Sequence, residues 1–197
     1  MSLNLSWDLF IIVIFAVVIA YSFIIGKNRT LKVVIGTYIA ILAADGLGNL
    51  FRDYLLTNRI VIKLFSAFGI PGDDKALIII KVLVFIIAIV ILSIKGGFLV
   101  DIEENRSTVV NSILNLIFGF LSAGLVVSTL LVFISGVSFV LGEVTISTPT
   151  AVIDLYNNSR MIRLMIDNYN IWFSLPAIAL VVTSYFSKPK EVIVEEA

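Results

Sequence analysis

Long apolar runs separated by short polar stretches set the pattern of the chain. The first, residues 9–26, carries no charge. As a helix rising about 1.5 Å per residue it reaches about 27 Å, close to the hydrocarbon thickness of a bilayer. The stretch Gly26-Lys27-Asn28-Arg29-Thr30-Leu31-Lys32 follows and reads as a helical hairpin loop. A second run, 33–51, is interrupted only by Asp45, and a third, 76–94, only by Lys81. The fourth, 109–134, is the longest uncharged stretch and is long enough to span with tilt. A fifth, 171–186, contains Pro176 and is short for a span, so a crossing, a re-entrant piece and an interfacial helix all fit it.

The intervening stretches are amphipathic or polar. Over 52–71, Leu55, Ile62, Phe65 and Phe68 continue a face begun by Phe51, while Arg52, Arg59 and Lys63 lie elsewhere, which predicts a helix lying in the interface. Residues 70–74 read as a turn. Asp101, Glu103 and Glu104 read as a solvated loop, with too few oxygen ligands for a divalent cation site. Residues 139–149 read as an irregular linker. Thr148 then Pro149 is a helix-start signal for a polar helix over 150–168, with Val152, Tyr156, Ile162 and Ile166 on its apolar side. The charged stretch 187–197 is expected to be a disordered tail. The pattern therefore predicts an all-α, polytopic transmembrane bundle: one membrane domain over 1–186, with four or five hydrophobic helices plus interfacial amphipathic ones.

Lys81 does not alter that picture. About fifteen large aliphatic or Phe residues at roughly −0.4 kcal/mol each favour inserting the third run by about 6 kcal/mol. One Lys near its end costs at most about 3 kcal/mol. The second run carries Gly36, Ala40, Ala44 and Gly48 at four-residue spacing, hence on one helix face. Small residues on one face let another backbone approach closely in lipid. Gly119 and Gly124 are expected to do the same in the fourth run.

Composition sharpens the assignment. Hydrophobic residues make up 59% and charged residues 14%, with a mean hydropathy of +1.09. A soluble domain carries about 25% charged residues, so the lipid bilayer is the solvent that fits. The net charge is zero, which argues against nucleic acid as a partner, since that requires a basic field. Without Cys or His there is no thiolate nucleophile, no Cys-ligated metal and no imidazole base. No phosphate-binding loop, dinucleotide motif, zinc motif or nucleophile elbow occurs. A Ser–Lys pair built on Lys81 is the one nucleophilic arrangement left. The expectation is a protein that is not an enzyme, with no catalytic residues, cofactor or metal. The first seven residues lack the basic start of a secretory signal, so the first helix is expected to be retained.

Lys27, Arg29 and Lys32, beside two helix ends, favour the cytoplasm for that turn. The N-terminus and the helix around Arg160 then lie outside, the loop around Glu103 inside, and the tail with Lys188 and Lys190 inside if the fifth run spans. Arg52, Arg59, Lys63 and Lys75 count against this orientation, since they would sit outside.

Ionisable groups inside a span are functional candidates. Asp45 lies about six residues from the outer end of the second run, and Lys81 about six residues from Lys75. Both therefore sit roughly 9 Å from the same interface, and two readings stay open: an ion pair between adjacent helices, or snorkelling of Lys81 to the interface with Asp45 bonded to Asn49 or water. Asn111 and Asn115, one turn apart, are the second candidate, as interhelical glue or as lining of a polar path.

The order of these features resembles the colicin V production protein family of bacterial inner-membrane proteins. The resemblance rests on Asp8 opening the first helix and on Gly26-Lys27-Asn28-Arg29-Thr30-Leu31 at the first hairpin, where Thr30 replaces the family's second Gly. It continues in the glycine-bearing stretch from Asn115 to Leu125, then in Ser159-Arg160-Met161-Ile162-Arg163 and Trp172. It implies a non-enzymatic inner-membrane protein linked to toxin export or envelope homeostasis, packed through its small residues, forming a homo-oligomer or meeting a membrane or periplasmic protein partner. The alternatives are a small-solute channel or transporter with a path through Asp45, Asn111 and Asn115, and an anchor for an external partner.

Overall fold

The computed structural model describes residues 7–54, 58–67, 74–95, 108–139 and 150–185. These form α1 (Trp7–Ile25), α2 (Lys27–Tyr54), α3 (Arg59–Ala67), α4 (Asp74–Lys95), α5 (Thr108–Ile134), α6 (Thr150–Asn158), α7 (Arg160–Asp167) and α8 (Tyr169–Tyr185). The protein is an all-α, multi-pass membrane bundle. Helices α1, α2, α4 and α5 are each long and apolar enough to cross a bilayer. The pair α7–α8, bent by 64°, is a broken span or a re-entrant piece. The acidic loop, the Thr148–Pro149 helix start, the turn before Asp74, all but Phe139 of the linker 139–149, and the tail lie outside the described residues.

α5 is the axis. Two thirds of its apolar window, 67%, is buried inside the protein, against 17% for α1 and for α4, whose outer faces are left to lipid. α1 and α8 pack on α5, and α2 lies between α5 and α4, with α4 as its most extensive neighbour. The small-residue stripe explains that contact. Gly36, Ala40, Ala44 and Gly48 are all buried. A Cβ at Gly36 would lie 3.3 Å from the Leu92 Cβ of α4, and Ala40 and Ala44 share a core with Phe85 of α4 and with Leu125 and Phe133 of α5.

Three boundaries differ from the sequence expectation. α2 begins at Lys27, so Lys27, Arg29 and Lys32 lie in a helix and not in a loop. Gly26 alone turns the chain at φ +80, a left-handed conformation that other residues seldom adopt, and Lys and Arg then propagate a helix readily. The amphipathic stretch 52–71 is divided: Arg52, Asp53 and Tyr54 end α2, and α3 restarts after Asn58, whose Oδ1 accepts from the Ile60 N–H at 3.0 Å as an N-cap. The polar helix over 150–168 is two helices, because Ser159 adopts an extended conformation and caps α7.

α8 starts two residues before the fifth apolar run and continues through Pro176. Proline removes one backbone donor and crowds the preceding turn. The Tyr38 hydroxyl of α2 donates to the Phe173 carbonyl in that turn. The carbonyl that Pro176 leaves without its helical donor is that of Trp172, one residue before. The Trp172 ring occupies the space over Gly124, where a Cβ would overlap it. Met165 of α7 meets Ser128 of α5, and Trp172 of α8 meets Gly124.

Candidate functional site

Buried polar side chains form a cluster at each end of the bundle, and the hydroxyls of Thr37, Ser122, Ser128 and Thr129 lie between them. At the end away from Gly26, Lys81 Nζ donates to Asp45 Oδ1 at 2.5 Å, and both residues are almost fully enclosed, at 2% and 0% exposure. Of the two readings that their matched depths left open, the ion pair is the one formed. Ser138 Oγ donates to the other carboxylate oxygen at 2.7 Å, and Asn49 Nδ2 donates to Ser138 Oγ at 3.3 Å. The ammonium also lies 6.0 Å from the centroid of the Phe133 ring, within cation–π range.

Two glycines make this arrangement possible. Gly48 lies one turn beyond Asp45 on the same face of α2. A Cβ there would stand 2.7 Å from Lys81 Cε and 3.1 Å from its Cδ, so the lysine stem lies in the place of a side chain. Gly136, at φ +85, ends α5 with a Schellman motif: its N–H bonds the Phe133 carbonyl at 3.1 Å, and the Val137 N–H bonds the Val132 carbonyl at 3.2 Å. That reversal brings Ser138 back onto α2. Ser138 was not among the sequence candidates. The available signal was a glycine shortly after a long apolar run, with a hydroxyl two residues on.

At the Gly26 end the cluster around Asn115 is built of neutral groups, with the Lys27 ammonium at its edge. Asn115 Nδ2 donates to the Ser22 carbonyl at 2.9 Å, and Asn115 Oδ1 accepts from the Ser22 hydroxyl at 2.9 Å. Thr30 Oγ1 donates to the Gly26 carbonyl at 2.9 Å and lies 2.9 Å from Ser22 Oγ. Asn115 thus ties α5 to the α1–α2 turn. Asn111, one turn earlier, is half-buried and accepts from the nearly buried Lys27 ammonium at 3.5 Å. Gly119 admits α1 here: a Cβ on it would sit 2.8 Å from Ser22 Cβ.

A third contact joins the chain's first helix to a late one. Asp8 Oδ1 accepts from the Met161 N–H at 3.0 Å and from Ser159 Oγ at 2.5 Å, while Ser159 Oγ accepts from the Ile162 N–H at 3.1 Å. A carboxylate at the start of α7 meets the positive end of that helix. The sequence presented Asp8 only as the opening of α1. Facing solvent on α6 and α7, the Tyr156 hydroxyl donates to Asp167 Oδ1 at 2.8 Å, and that carboxylate raises the Tyr156 pKa.

The Asp45 and Asn115 clusters do not meet. Along α2, Thr30 and Asp45 are about 22 Å apart. Between them Leu31, Val34, Ile41 and Ala44 are buried to 0% exposure, with Phe118, Leu125 and Phe133 of α5 at 1%. Of the intervening buried hydroxyls, Thr37 donates to the Val33 carbonyl and Thr129 to the Leu125 carbonyl, each within its own helix, and Ser128 donates to the Met165 carbonyl of α7. The Ser138 hydroxyl donates to Asp45, so the Ser–Lys arrangement that the sequence left open is not formed at this serine. Among the described residues no group of three or more His, Cys, Asp or Glu is placed to hold a metal ion. Compared with known families, curated proteins and solved structures, the chain matches none of them.

Proposed function

We propose that this protein is a non-enzymatic membrane scaffold that acts by holding its helices in a fixed arrangement and presenting the α6–α7 surface to a partner. One observation carries this: Lys81 with Asp45 and Asn115 with Ser22 are spent on one another in two separate clusters, and in the largely apolar core between them the Thr37 and Thr129 hydroxyls bond carbonyls of their own helices while Ser128 bonds the Met165 carbonyl. A solute path would need polar groups continuing through that core.

The resemblance to colicin V production proteins gives the scaffold its context: the bacterial inner membrane, and a link to toxin export or envelope homeostasis. The orientation follows from Lys27, Arg29 and Lys32, which favour the cytoplasm for the Gly26 end and the outside for Asp8, α6 and α7. The chain contains no Cys, so single cysteines report sidedness cleanly. Asn158→Cys is expected to label from outside intact cells, and Glu103→Cys only after permeabilisation.

Purified protein in liposomes tests the scaffold. The expected result is solute flux no higher than in empty liposomes, together with a specific protein crosslinked through photoreactive residues placed at Arg160 or Asn157. Flux that is present and is lost in Asp45→Asn, Lys81→Met would overturn the scaffold in favour of a transporter.

A further inference from the structure

The Gly26 end carries a notch of about 390 Å3 between α1, α2 and α4. Its lining is divided. Arg29 and Lys32 of α2 stand with the hydroxyl-bearing Tyr21 of α1 and Ser93 of α4, while Ile25 and Ile94 supply an apolar wall. The wall opens toward lipid, since the neighbouring Ile24 is 82% exposed and Ile94 is 74% exposed. The site therefore combines two cations, two hydroxyls and a hydrocarbon wall at the end of a bundle of membrane spans.

The charge placement is the informative feature. Lys27, Arg29 and Lys32 all fall in the first two turns of α2. The N-terminus of a helix already carries partial positive charge, so cations there raise the local potential. An anion between Arg29 and Lys32 would offset both. Arg also presents paired donors that match two oxygens of one phosphate.

We propose that this notch binds the phosphate of an anionic phospholipid. Arg29 and Lys32 hold the phosphate oxygens, Tyr21 and Ser93 donate hydroxyl hydrogen bonds, and Ile25 and Ile94 meet the first part of the acyl chains. The apolar wall selects lipid over free phosphate, and basic pockets between spans are a recurrent form of such recognition.

The test uses the full chain extracted from vesicles of phosphatidylcholine with phosphatidylglycerol, with retained lipid counted by native mass spectrometry. Phosphatidylglycerol is expected to be retained over phosphatidylcholine. Arg29→Gln with Lys32→Gln is expected to lower that retention at least tenfold, about what the loss of one charge-assisted hydrogen bond implies. The milder Ser93→Ala should lower it by a smaller factor, and Lys95→Gln, outside the lining, should leave it unchanged. Equal loss in Lys95→Gln would mean diffuse attraction and overturn the site. Displacement of the lipid by millimolar inorganic phosphate would reassign the notch to the free ion. Retention that appears only after Asp101, Glu103 and Glu104 are neutralised would show that the chain's own carboxylates take the place of lipid. Unchanged retention in the Arg29, Lys32 double variant, with that variant folded by circular dichroism, would also overturn it.

Discussion

The two ends of the bundle fasten the same helix, α2, by opposite chemistry. Near Asp45 the fastening is a full charge pair trimmed by one hydroxyl and one amide. Near Thr30 it is a set of neutral groups, with Asn115 both donating and accepting. In a low-dielectric interior a charge pair holds only while both partners are present, because either ion alone has lost its water. A neutral network loses one bond at a time, and each bond in lipid is worth little. The charged end should therefore behave as all-or-none, and the neutral end as graded.

The largest expected effect breaks the charged end. Lys81→Met alone leaves the Asp45 carboxylate without its ammonium and should cost about 3–5 kcal/mol of stability. Asp45→Asn combined with Lys81→Met should recover most of that loss. Unfolding in detergent, followed by circular dichroism against SDS fraction, gives both numbers. Losses that simply add would mean that the two residues do not act as a pair.

Each end also depends on a glycine, which gives the contrast a second test. Gly48→Ala pushes on the Lys81 stem, and Gly119→Ala pushes on Ser22. Each should cost about 1–3 kcal/mol by overpacking. The two should then diverge. In a Lys81→Ala background the cost of Gly48→Ala should nearly vanish, since the obstacle is a side chain. In a Ser22→Gly background part of the Gly119→Ala cost should persist, because the Ile19 Cα also lies 3.4 Å from the added Cβ. Equal relief at both sites, measured by the same unfolding assay, would erase that distinction.

What the sequence made legible was governed by length and depth. Long hydrocarbon runs, broken only by Asp45 and Lys81, locate α1, α2, α4 and α5 to within a few residues, except that α2 gains its basic first turns. Charge in those turns suggests a loop, whereas Lys and Arg favour helix once Gly26 has turned the chain. Counting residues from the run ends placed Asp45 and Lys81 at one level, and α2 and α4 pack so that the two meet. The same count could not find Ser138 or the contact of Asp8 with Met161. The first depends on the reversal at Gly136, and the second joins residues 153 apart in the chain. Hydrophobic periodicity carries no information at that range. Ser159, likewise, has no proline or glycine beside it to announce the break between α6 and α7.

The smallest expected effect tests the graded end. Asn115→Leu keeps a side chain of similar size and removes the two short bonds to Ser22. At about 0.6 kcal/mol per interhelical bond in lipid the loss should be about 1 kcal/mol. The released Ser22 hydroxyl still has Thr30 Oγ1 at 2.9 Å, so little polar surface is stranded. A measured loss of about 3 kcal/mol or more would place Asn115 alongside Lys81, and the difference between a charged lock and a neutral one would not hold. A loss near 1 kcal/mol would mean that the α1–α2 turn can loosen from α5 at modest cost while α2 stays clamped to α4. Motion within the bundle would then begin at the Gly26 end, beside the notch formed by Arg29 and Lys32.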